Sequence, residues 1–178
     1  LTAWNERNGN AVGAMAKLDV SFNKATGKAV TVSPAPAKNY PGQGGVFGLV
    51  NGLRSTTGMN SAEWLGWDGK DVEFVVDLLA PVDFSTVGLH TIASGGSWVY
   101  PPSAIEVFVS NDGAAYSSIG KTGLFQPAGN SVGLMTVKTS DQKARFVKIK
   151  AANFGPIPEG ASGAGKPAWL FADEIEVF

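Results

Sequence analysis

The chain contains no cysteine, and that absence removes disulfides, thiolate metal sites and cysteine nucleophiles together. Histidine is almost as scarce. His90 stands alone, so a multi-histidine metal centre cannot be built, and any Ser-His-Asp triad would have to use that one ring. Charged residues make up only 16% of the chain and the net charge is -1. Such a surface gives nucleic acid or an anionic membrane no electrostatic reason to bind. No apolar run approaches the length that spans a bilayer. The opening residues, Leu1-Thr2-Ala3-Trp4, show neither the basic nor the apolar region of an export signal. That abrupt start, with the finish on Phe178, reads as a module cut from a longer chain. Helical periodicity is missing too, since no stretch of ten or more residues repeats apolar side chains every 3.6 positions.

What remains is a 178-residue chain, 44% hydrophobic, large enough for one domain with a sizeable core. Gly and Pro, 23 and 10 of them, punctuate short runs of β-branched and aromatic residues. In Asp71–Leu78 the residues Val72, Phe74, Val76 and Leu78 share one face at period two. Ala104–Ser110 repeats the pattern with Ile105, Val107 and Val109, then runs into Asn111-Asp112-Gly113, a hairpin signal. Lys28–Ser33, Ser85–Ile92, Ser131–Lys138, Ala144–Lys150 and Asp173–Phe178 complete the expected strands, while residues 12–20 suit a strand or a short helix. The expected fold class is all-β. Arg145 shares its expected strand face with Val147 and Ile149, so a buried ion pair is expected there.

Two phosphate-loop imitations fail on inspection. Gly160 to Lys166 has the spacing of a P-loop, but Pro167 stands where a hydroxyl is needed and a strand-like run follows. Gly42 to Gly48 misses the dinucleotide spacing and opens no helix. Asp68, Asp71, Glu73, Asp77, Asp173 and Glu174 could supply a glycosidase acid–base pair, although most lie in alternating strands, where an outward carboxylate is a solvated face.

Five tryptophans are the strongest positive signal. Trp64 and Trp169 abut strands and suit a core. Trp67, Trp98 and Tyr100 sit among Gly, Ser and Pro, which cannot cover a large ring. Ser94–Pro102 and Asn153–Ala168 are long connections for a compact domain, and such loops are usually functional or mobile. An aromatic plate on a rigid loop suits the C–H face of a pyranose, with polar neighbours to read its hydroxyls.

Several ordered segments resemble the discoidin, or coagulation factor V/VIII type C, domains, and especially family 32 carbohydrate-binding modules. Leu49-Val50-Asn51-Gly52 is similar to the family's Leu-x-Asp-Gly turn, and Val75-Val76-Asp77-Leu78 to its apolar-apolar-Asp-Leu strand. Val109 to Gly113 resembles its Ser-x-Asp-Gly hairpin, Ala144 to Ile149 its Ala-Arg-Tyr-Val-Arg-Ile strand, and Asp173 to Val177 its closing strand. The resemblance spans residues 24–178, leaving 1–23 as an N-terminal extension or a first strand.

The resemblance implies an antiparallel jelly-roll β-sandwich of about eight strands that binds a glycan without catalysis. It also implies an exported setting and attachment to the catalytic domain of a glycoside hydrolase. A structural calcium ion is implied near the Asp-Gly turn, with Asn51, Ser55, Thr56 and Glu174 as carried-over ligands and Asn replacing the usual Asp at 51. Relatives that bind galactose present His, Arg and Asn beside an aromatic ring. His90, Arg54 and Asn153 are the candidates here, added to Trp98, Tyr100 and Trp67. The competing expectation is a domain that packs against a catalytic neighbour and binds no sugar.

Overall fold

The computed structural model describes residues 2–17, 20, 22–123, 125 and 131–178. Among the described residues nine strands run β1 (Thr2–Arg7), β2 (Asn10–Lys17), β3 (Ala29–Ser33), β4 (Leu65–Asp68), β5 (Val72–Ala93), β6 (Ala104–Ser110), β7 (Ser117–Thr122), β8 (Ser131–Ala152) and β9 (Trp169–Val177). Short 3₁₀ turns at Gly45–Val50, Gly58–Asn60 and Gly95–Ser97 are the only helical pieces among the described residues.

Two long strands build the sandwich. β5 and β8 run antiparallel along most of their length, but their register breaks between Asp77 and Val82 and again between Phe84 and Thr86. The first half of β5 pairs with β3 and with the second half of β8, which in turn pairs with β6 and then β7. The second half of β5 pairs with β9, and β9 pairs with β4. One continuous antiparallel sheet thus folds over on itself into two layers.

The core between the layers follows the period-two pattern. Val72, Phe74, Val76 and Leu78 are buried from one layer, with Val147, Ile149, Ala151, Ile105 and Val107 beside them. From the other layer come Leu65, Trp67, Val87, Leu89, Leu170, Ala172, Ile175 and Val177. Trp67 meets Phe74 edge to face at 5.5 Å across the interface. Burial of one such side chain contributes roughly 1.5–3 kcal/mol.

One detail differs from expectation. Arg145 does pair with Asp77, through two hydrogen bonds of 2.8 Å, but the pair lies at the surface. Its guanidinium side chain is 40% exposed, because the break in register opposite Leu78–Pro81 turns it away from the core. The N-terminal segment forms a hairpin, β1–β2, that is a sheet of its own and pairs with no other strand. Residues 10–17 are therefore strand, while Leu1, Leu18, Asp19 and Ser21 lie outside the described residues.

Candidate binding site

At one end of the sandwich the 94–103 and 153–168 loops meet the turn after β4. Val99 bridges Ser94 and Trp169, and the Gly69 and Asn153 amides both donate to the Ala168 carbonyl. Within this rim Trp98 holds the left-handed conformation, with φ at 64°. A bulky residue there is strained by about 1–2 kcal/mol. Its neighbours fix it nonetheless. The Trp98 amide donates to Gly95, and its carbonyl accepts from the Trp169 amide at 2.8 Å. The indole N–H donates to the Ser162 hydroxyl at 3.2 Å. Gly163 lies against the ring so closely that a Cβ there would stand 2.4 Å from a ring carbon. Trp98 as a whole remains 37% exposed.

Tyr100 lies beside Trp98 and stacks on Phe154 with ring centroids 4.6 Å apart. Its amide donates to the Trp169 carbonyl, so Trp98 and Tyr100 flank a single backbone position of β9. On the other side of Trp169 is Tyr40, which the sequence reading did not single out. Tyr40 meets the Trp169 ring at 5.3 Å and the Phe171 ring at 4.8 Å, and is 37% exposed. The close approach depends on Gly66, where a Cβ would fall 2.9 Å from Tyr40 Cβ.

The remaining expected ligand contacts lie elsewhere. Trp67 is sealed in the core, its indole N–H donating to the Pro34 carbonyl at 2.9 Å, so it offers no ring face to a ligand. Its flanking glycines suggest a loop, yet Leu65–Asp68 is a strand paired with β9. His90 is also buried. Its Nδ1 lies 2.6 Å from Asp173 Oδ1 and its ring stacks on Trp64, which makes it a structural histidine. Arg54 is half-exposed but holds Glu176 through two contacts, Nε to Oε1 at 2.6 Å and Nη2 to Oε2. Asn153 braces its own loop: its Nδ2 donates to Ala168 and its Oδ1 accepts from the Gly155 amide, both at 2.9 Å.

The His90 contact has its cause in β9. The β5–β9 register shifts between His90 and Thr91, opposite Glu174 and Ala172, which inserts one extra residue at Asp173. Such a bulge re-aims side chains. Asp173 and Glu174 both leave the core face, between core residues Ala172 and Ile175. Asp173 accepts from the Ser55 amide at 2.6 Å as well as facing His90. Both Glu174 oxygens lie 3.2 Å from the Gly52 amide nitrogen.

Asp173, Glu174 and Glu176 are all fully buried; Arg54 pairs with Glu176 and the His90 ring faces Asp173, while no ion pair to Glu174 occurs among the described residues. Burial pushes its carboxyl up to about 9. The Glu174 oxygens, held by the Gly52 amide beside the 51–56 loop, are the kind of oxygen donors that suit a hard cation. Two of the expected donors already serve the loop. Asn51 Oδ1 accepts from the Leu53 amide at 2.8 Å, and the Ser55 hydroxyl donates weakly to Gly58. No group of three or more His, Asp or Glu side chains that could hold a metal occurs among the described residues, so backbone carbonyls would have to complete such a site.

The carboxylates considered for acid–base chemistry are mostly engaged. Glu73 lies 3.3 Å from Lys148, Asp77 holds Arg145, and Asp71 accepts from the Asn153 amide. Asp71, Glu73, Glu106, Lys121 and Lys150 do line a groove of about 340 Å³ on the outer face of the β3–β5–β8–β6–β7 layer. It contains no aromatic ring.

Fold and rim together define a β-sandwich with a loop-borne aromatic platform. The family model of the F5/8 type C domain matches residues 28–163, and the chain belongs to that family. No curated protein matches it. Among solved structures, a fucose-binding module of Streptococcus pneumoniae is 16% identical with a TM-score of 0.58, covering 98% of this chain and 99% of its own. A Clostridium perfringens family 32 module in complex with GalNAc-β-1,3-galactose is 18% identical with a TM-score of 0.57, over 84% of this chain and 94% of its own. Chitosan-binding module 1 of a Paenibacillus sp. IK-5 chitosanase/glucanase is 18% identical with a TM-score of 0.56, over 88% and 98%. At these identities the likeness establishes the jelly-roll fold.

Proposed function

We propose that this chain is a non-catalytic carbohydrate-binding module whose glycan lies against Trp98. The observation that carries the reading is the strained, exposed indole. A tryptophan at φ 64°, over one-third exposed yet fixed by its backbone, Ser162 and Gly163, is held in place at a conformational cost that packing alone does not explain. Tyr100, two residues on, packs against Phe154 in the same pair of loops. The similar structures bind chitosan, fucose and GalNAc-galactose, which supports a sugar as the ligand class. Attachment to a glycoside hydrolase and an exported location belong to the same proposal. One shallow platform excludes little water, so a dissociation constant of ~10⁻³ to 10⁻⁵ M is expected.

Retention on a glycan array tests the reading. Trp98→Ala should abolish retention while the melting temperature moves by no more than a few degrees. A folded variant that binds as well as the parent removes Trp98 from the site.

A structural calcium ion is part of the proposal. Glu174 would supply the anionic ligand, with Asn51, Ser55 or Thr56 and neighbouring carbonyls as neutral oxygens. The ion would lock the 51–56 loop onto β9.

One observation favours a second role. Every residue of β1 is exposed, and Trp4, Val12 and Met15 of the hairpin present large apolar side chains to solvent. An isolated two-stranded hairpin is marginally stable in water. Packing of this hairpin against a neighbouring catalytic domain would cover those side chains, with or without sugar binding at the rim.

A further inference from the structure

The loops before and after the 45–50 turn enclose a second concavity, and we propose that it is another sugar subsite, so that the rim reads an oligosaccharide rather than a single ring. This inference rests on the glycan-binding reading of Trp98. The cleft, about 380 Å³, is lined by Asn39, Tyr40, Pro41, Gln43, Ser61 and Trp64, with Gly42 and Ala62. No charged side chain lines it. Its volume falls at the lower end of the range for small-molecule sites.

The chemistry of the lining identifies the ligand class. Among the described residues, the side-chain amides of Asn39 and Gln43 and the phenol of Tyr40 make no hydrogen bond within the protein. Each can donate and accept, as a sugar hydroxyl requires of its partner. Pro41 and the Tyr40 ring supply apolar surface beside them. Neutral amides and a phenol arranged around an apolar wall suit an uncharged saccharide. An acidic or basic ligand would find no counter-charge. The groove on the outer layer differs on this point, because charged side chains line it and no ring is present.

Trp169 links the cleft to Trp98. Its ring stands edge-on to Tyr40 at 5.3 Å, and its amide donates to the Trp98 carbonyl at 2.8 Å. Both aromatic positions are therefore anchored to one residue of β9, on the same rim. A glycan long enough to reach both gains from the second contact as an intramolecular event, which raises affinity without requiring either contact to be strong.

The test uses an array of neutral oligosaccharides one to four sugars long, probed with the parent chain, Trp98→Ala, Tyr40→Ala and Gln43→Ala. Tyr40 packs on Trp169 and Phe171, so its loss could disturb the fold; Gln43 is exposed and serves as the control for that. Both cleft variants should bind tri- and tetrasaccharides at least about tenfold more weakly, with monosaccharide binding unchanged. Equal binding at every length by Gln43→Ala and by a folded Tyr40→Ala overturns the subsite, and so does an equal loss at every length. Should the parent retain no glycan, both this inference and the reading beneath it fail. If Trp98→Ala alone loses binding, the reading stands and the subsite falls.

Discussion

Trp98 and Leu79 both occupy left-handed backbone, at φ 64° and 73°, and both are exposed. The physical difference lies in what holds them. Trp98 is clasped by Ser162, Gly163 and Trp169, whereas Leu79 lies at the unpaired bend of β5, where its amide donates to Asp77. Replacing Leu79 with glycine should therefore raise stability, by up to about 1 kcal/mol in a denaturant titration, with no change in glycan retention. Trp98→Gly should relieve the same backbone strain yet abolish retention. Trp67 behaves in the opposite way: Trp67→Ala should cost about 3–5 kcal/mol, because a ring sealed between the layers leaves a cavity. Sequence reasoning separated these residues only in part. It placed Trp98 at the surface because Gly and Ser cannot cover an indole, but the same logic misplaced Trp67, whose neighbour Gly66 is itself part of a strand. Tyr40, in Asn39-Tyr40-Pro41-Gly42, carries the signal that marked Trp98 and was legible by that rule.

At the scale of elements, the alternation of apolar residues locates β3, β5, β6 and β8 well because each buries one face. It does not show that Asp71–Leu78 and Ser85–Ile92 are one strand, since the bend between them interrupts the pattern where β5 passes between layers. β8 joins Ser131–Lys138 to Ala144–Lys150 for the same reason. β9 begins at Trp169, four residues before the expected Asp173, and its bulge hides the period. The buried partner of His90 follows from that bulge, so no local pattern could assign it.

Two carboxylates at the end of the β5–β6–β8 layer give the sandwich an acid limit. The Arg145 guanidinium holds Asp77 below the usual carboxylate range. The Ala114 amide, with the Ser110 hydroxyl and the Ala115 amide, lowers Asp112 to about 2 in the β6–β7 hairpin. Each group is more acidic folded than unfolded, so its contribution is present above about pH 4 and is lost as the pH falls towards 2. Thermal melts should show the melting temperature dropping across that window, and Asp112→Asn should shallow the drop.

For the whole molecule, the closing β9 strand connects everything proposed here. Its Trp169 end supports the aromatic rim, while Asp173, Glu174 and Glu176 fasten the 51–56 loop. If calcium neutralises Glu174, adding calcium to chelator-treated protein should raise the melting temperature by several degrees, and Glu174→Gln should remove that response. An identical melt with chelator or with calcium would assign Glu174 no ion. The most direct measurement is a crystal structure with the glycan that the array retains best. A pyranose ring lying against the Trp98 indole, with Tyr100 beside it, is the expected result. Density for the sugar in the charged groove between Glu73, Glu106 and Lys150, with the Trp98 rim bare, would contradict the account.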